Sequence, residues 1–137
     1  AQEAQILRLA HRGVTPATLD DVQRVASPQD LIDVRALVDA TTVSEPVIEY
    51  VVALVRKTRE LPSVSLGASP RAAVHLLAAA KAAARLSGRA FVTPDDVVTV
   101  APSVFRHRIL LRPEAELERY TPDDAVRTTI GAVPIPR

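Results

Sequence analysis

The residues in this sequence best placed to act on a ligand are arginines. Arg71 follows Ser69-Pro70 at the start of an alanine-rich apolar stretch that runs to Leu86. A hydroxyl at the cap position accepts a bond from an unpaired backbone N–H, and proline at the first helical position gives up a donor that has no partner there. The pattern therefore puts Arg71 in the first turn of a helix. A cation there opposes the helix dipole, at a cost of up to about 1 kcal/mol. A phosphate-like anion would compensate, held by the exposed backbone N–H groups and the planar guanidinium together. An ordinary surface carboxylate would compensate as well, and position alone leaves both readings open.

The second basic concentration is Arg106-His107-Arg108, with Arg112 close behind. Four cations without interleaved aromatics or glycines are a weak nucleic-acid signal; solvated surface and an acidic patch on a neighbouring subunit are the two other readings. Other chemistry is excluded by pattern. None of Gly13, Gly67, Gly88 or Gly131 is followed by Lys, so there is no phosphate-binding loop, and the glycines do not cluster as dinucleotide sites require. His11, His75 and His107 are far apart in sequence and lack zinc spacing. The chain by itself is not expected to turn over ATP or to hold a nucleotide or metal.

Five Ser/Thr-Pro pairs mark where the helices that carry these arginines should begin: Thr15-Pro16, Ser27-Pro28, Ser69-Pro70, Thr93-Pro94 and Thr121-Pro122. The last two are each followed by Asp-Asp, which faces the positive end of the dipole, so these paired carboxylates are read as capping and assigned no chemistry. Helical periodicity predicts a first helix over 2–11 with Ile6, Leu7 and Leu9 on its apolar side, a short one near 19–25, and a longer one over 28–40. The next starts at Ser44-Glu45-Pro46 and ends before Pro62, with Val47, Ile48, Val51, Val52, Leu54 and Val55 inward. A helix over 70–86, stopped by Ser87-Gly88, is expected at the centre because alanine permits close approach. Helices over 94–100 and 122–130 complete the set. Arg89–Val92 and Ile109–Leu111 are short apolar runs able to pair as a small ribbon, and Pro134-Ile135-Pro136 cannot continue a helix.

The fold class is therefore all-α, a small helical bundle with a short β ribbon. At 137 residues the chain fits one domain, and aromatics at 3% leave the core to Ala, Val, Leu and Ile. Lacking Cys, it is not a disulfide-stapled secreted scaffold, and no uncharged apolar run reaches the roughly 18–20 residues of a membrane span. A cytoplasmic location is expected. The first residues read as helix and not as an export signal, so the chain is expected to begin inside a longer protein. A net charge of +1 provides no global field for gathering nucleic acid.

Three runs, in order, resemble the C-terminal part of MoxR-family AAA+ ATPases: Leu66-Gly67-Ala68-Ser69-Pro70-Arg71-Ala72, Gly88-Arg89-Ala90-Phe91-Val92-Thr93-Pro94-Asp95-Asp96-Val97, and Phe105-Arg106-His107-Arg108-Ile109. The stretch Tyr50 to Arg59 and the Val133-Pro134-Ile135-Pro136 ending are similar too. The resemblance implies a helical lid over 16–137, with 1–15 the end of, or linker from, an α/β core that carries the Walker A and B elements. It implies that Arg71 is the sensor-2 arginine, reaching the γ-phosphate of ATP, with Mg, held by that core in the full-length protein. It further implies a chaperone-like maturation or assembly factor that forms a hexameric ring with neighbouring subunits, partnered by a von Willebrand factor A domain protein. Arg106 and Arg108 belong to the resembling motif, and a subunit interface is their expected place. The competing reading is a non-enzymatic helical module that binds a protein or the DNA major groove. That reading needs a basic exposed face, whereas the Pro70 helix offers only Lys81 and Arg85 beyond Arg71.

Overall fold

A computed structural model describes residues 22–136 and, upstream of them, Ala4. The elements are α1 (Pro28–Asp39), α2 (Glu45–Glu60), β1 (Val64–Leu66), α3 (Pro70–Leu86), α4 (Pro94–Phe105), β2 (Leu110–Leu111), α5 (Pro113–Leu117) and α6 (Pro122–Ala132). The all-α class holds, with a two-stranded ribbon added. Packing divides the chain into two units, Ala1–Asp33 and Val34–Arg137, and the division falls within α1. The helix expected over 2–11 and the boundary expected at 15 and 16 lie outside the described residues.

Ser27-Pro28 starts α1 as expected: the Asp30 carboxylate accepts the Ser27 N–H at 2.6 Å and the Asp30 N–H returns to the Ser27 hydroxyl at 3.1 Å. The short helix expected near 19–25 is not seen where it can be judged, because residues 22–27 are non-helical. Ser27 must stay extended to cap α1 and to precede Pro28, which disfavours a helix running up to it. No residue of α1 is buried, and Leu31, Ile32, Val34 and Leu37 are each more than half exposed.

The core belongs to the second unit. On α3, Ala72, Leu76, Ala80 and Ala84 are fully buried, four residues apart on one face. These small side chains let α4 approach closely, and α3 packs more extensively on α4 than on any other element. From α4 come Val97, Ala101 and Phe105, all fully buried, and from α6 come Ala125 and Val126. The inward face of α2 is Val47, Tyr50, Val51, Leu54, Val55 and Thr58. Val52, expected inward, is exposed, and Ile48 is half-buried; the face is turned so that Tyr50 and Thr58 replace them. Helix α4 runs five residues past the expected Val100, through Pro102. The missing N–H and ring crowding of that proline are offset by burying Ala101 and Phe105 on either side. The short α5 behind Arg112-Pro113 was not expected.

The ribbon forms, but with a different partner. Residues 110–111 pair antiparallel with Val64–Leu66, matching Val64 to Leu111 and Leu66 to Leu110. The stretch expected to pair there lies elsewhere, with Phe91 making a parallel bridge to Thr42. The reason is local. Gly88, at φ +75, closes α3 and sends the chain back, with the Arg89 N–H bonded to the Ala84 carbonyl at 2.9 Å. Residues 90–92 then pass Thr42, which takes the Val92 N–H at 3.0 Å and donates to the Ala90 carbonyl at 2.9 Å.

Leu76→Ala should lower unfolding stability by about 2–5 kcal/mol, since it empties a fully buried site on the α3 face. Val74→Ala, two residues away and 67% exposed, should stay within about 0.5 kcal/mol. Urea unfolding midpoints compare the two.

Candidate functional site

Ser69 precedes α3 in extended conformation, Pro70 opens the helix, and Arg71 stands exposed in its first turn. The Ser69 hydroxyl makes no capping bond to this helix start. The electrostatics of the position stand apart from the rest of the chain. Each of the other described helices carries at least one acid in its first turn: Asp30, Glu45, the Asp95-Asp96 and Asp123-Asp124 pairs, and Glu114 with Glu116. Helix α3 carries none and has a cation in their place. Among the described residues, Arg71 enters no ion pair and no side-chain hydrogen bond. Among the described residues, no carboxylate takes up the surface pairing that the sequence left open.

The ground beside this helix start is also basic. A groove between α2 and α3 is lined by Val52, Val55, Arg56, Arg59, Pro70 and Ala73. Exposed guanidinium and uncapped N–H groups suit one side of a phosphate, not a whole nucleotide site. No cluster of three potential metal ligands exists among the described residues.

The cations on which a DNA-reading α3 would rely are used internally. The Lys81 ammonium donates to the Asp39 carbonyl at 2.7 Å, and the Arg85 Nε donates to the Thr41 hydroxyl at 2.8 Å. Arg106 is half exposed and pairs with Asp123 at 3.3 Å while its Nε also reaches the Pro102 carbonyl at 3.1 Å, tying the end of α4 to the start of α6. Arg108 is half-buried with its Nε enclosed, and His107 is exposed. The structure therefore does not bring the Arg106 cluster together with Arg71 in any described bond.

Sequence reasoning missed the shortest ion pair among the described residues. Arg89 grips the Asp96 carboxylate with both terminal nitrogens, at 2.7 and 2.5 Å. The same carboxylate accepts the Thr93 N–H at 2.8 Å and the Thr93 hydroxyl at 2.9 Å. These donors hold the Asp96 pKa down to about 2, with the Arg89 bonds the largest cause, the Thr93 bonds next among those lowering it, and burial opposing them. The capping role of Asp96 was legible; the reach of Arg89 across the Gly88 reversal had no sequence signal.

Comparison with known proteins places this arrangement. The AAA lid domain family matches residues 56–129, which covers α3, its Arg71 start and the Arg89–Asp96 turn. The chain belongs to the AAA lid domain family. Its relatives make it a lid of the MoxR type. The chaperone MoxR1 of Mycobacterium tuberculosis is 31% identical over 134 residues, taking in 91% of this chain and 35% of the relative. Protein YeaC of Bacillus subtilis is 36% identical over 135 residues, 98% of this chain and 41% of that protein. A crystal structure from Cytophaga hutchinsonii ascribed to an ATPase superposes with a TM-score of 0.80 at 30% identity, covering 98% of the present chain and 43% of that one. The chain thus spans about two fifths of the length of such relatives. No helix among its described residues is long and apolar enough to cross a membrane.

A carboxylate whose pKa is depressed in the folded state stabilises above its ordinary value and loses that contribution as pH falls through the depressed one. Asp96 should therefore supply about 2 kcal/mol at neutral pH that disappears between about pH 4 and pH 2. Asp96→Asn should lower neutral stability and flatten the stability profile across that window, as read by urea unfolding at stepped pH.

Proposed function

We propose that this lid domain works within an AAA+ ATPase and supplies Arg71, as the sensor-2 arginine, to the γ-phosphate of ATP bound with Mg by a P-loop core of the same polypeptide. The observation that carries this reading is the exposed Arg71, without a described partner, at the one described helix start that lacks an acid. The guanidinium would stabilise charge on the phosphate oxygens during transfer. Because it belongs to the lid, it would also tie lid orientation to phosphate occupancy, and loss of the γ-phosphate would release that tie. In a hexameric ring, the resulting rotation would pass to the next subunit as rigid-body motion.

The reading takes residues 16–137 as the lid and 1–15 as the end of, or linker from, the core. It places the protein in the cytoplasm as a chaperone-like maturation or assembly factor, for which the name of the Mycobacterium tuberculosis relative is support. Apolar side chains standing out from α1 support a role for the rest of the polypeptide in covering that helix. The neighbouring-subunit role of Arg106 and Arg108, and a von Willebrand factor A domain partner, rest on the family resemblance.

Arg71→Ala in the full-length protein should lower ATP turnover about a hundredfold while circular dichroism stays unchanged. Arg112→Ala is the control, an exposed cation outside the described side-chain bonds. Arg85 would be a poor control because it holds Thr41. Turnover by Arg71→Ala equal to that of the native protein would reject the sensor role.

A further inference from the structure

The segment that joins α2 to Arg71 is held by two buried features that the proposed phosphate contact does not itself explain. Thr58, in the last turns of α2, is fully buried. Its hydroxyl donates to the Val55 carbonyl at 2.7 Å and accepts the Ala68 N–H at 2.9 Å. A hydroxyl has one proton, and its use on Val55 fixes the orientation that leaves a lone pair for Ala68. Ala68 is itself fully buried, so its N–H has no access to water and depends on Thr58.

One residue earlier the backbones meet. A Cβ on Gly67 would lie 2.7 Å from the Arg59 nitrogen and 2.8 Å from the Arg59 Cα. These are backbone atoms, so no side-chain rotation relieves the clash. The glycine is required by this close approach, not by a left-handed φ. From Ala68 only Ser69 and Pro70 lead to Arg71, and the Pro70 ring fixes its own φ. On the far side, the loop is clipped by β1 pairing with β2. The start of α3 is therefore fixed to α2 with no loose joint between the pinned residues and the arginine.

We infer that Thr58 and Gly67 are positioning residues for Arg71: they set where the guanidinium stands relative to the lid body, so that a contact with phosphate is transmitted to the whole lid. This inference rests on the sensor reading of Arg71. A misplaced contact of this kind costs turnover more than binding, because geometry matters most where charge develops.

The test is a double-mutant cycle on ATP turnover by the full-length protein. Thr58→Val keeps the shape and removes the hydroxyl; Gly67→Ala pushes the two backbones apart and carries the test if Thr58→Val fails to fold. Each should lower kcat about tenfold with KM nearly unchanged, and Thr58→Ser, which restores the hydroxyl, should recover to within about twofold of native. In the Arg71→Ala background neither substitution should lower turnover further. An equal loss in both backgrounds would overturn the positioning role and assign the effect to general lid integrity. If Arg71→Ala alone leaves turnover at the native level, the sensor reading is what fails, and the inference falls with it.

Discussion

Alanine at three of four successive positions, four residues apart on one face of α3, sets how near the neighbouring helices can come, and the bundle is arranged around that distance. Ala72, Ala80 and Ala84 contribute almost no side-chain bulk, and Leu76 among them fills the space that the close approach leaves. Facing this stripe, α4 adds Ala101 and a single large group, Phe105. A core with so few aromatics obtains its density from proximity of backbones more than from large interlocking side chains. Enlarging one of those alanines would overpack this core and force a neighbouring helix or side chain to shift.

The helix starts are the second organising layer. Thr93 with Asp96 and Thr121 with Asp124 close their helices by reciprocal bonds between side chain and backbone. The start of α3 departs from this scheme, with no acid and no hydroxyl cap. Every other described helix has an acid in its first turn, and the one that has a cation there is the start at which the MoxR-type lid is proposed to meet phosphate.

Much of this was legible because the signals are local. Ser/Thr-Pro pairs announced the starts of α1, α3, α4 and α6, and Gly88 announced the end of α3. Periodicity found the long described helices, missed the short α5 and misjudged the face of α2, since Val52 and Tyr50 differ in burial only through what packs opposite them. The extension of α4 through Pro102 was hidden for a similar reason: the penalty is local, and the compensating burial of Phe105 is not. Ribbon pairing went to Val64–Leu66 because chain reversals, not apolar character, decided which short strands met. At the candidate site, Arg71 could be singled out from its position, while the contacts of Thr58 and Gly67 span ten and eight residues and leave no sequence pattern.

The Arg89–Asp96 pair binds together two events that are usually separate. One carboxylate secures the start of α4 through Thr93 and, through Arg89, the chain just after the end of α3. Fraying at either terminus withdraws support from the other, so the two helices should not loosen independently. In hydrogen exchange, amides at the close of α3 and the opening of α4 would then share one opening event and one protection level. The hairpin of α3 and α4 would behave as a single cooperative block, a stiff lever with its arginine at one tip.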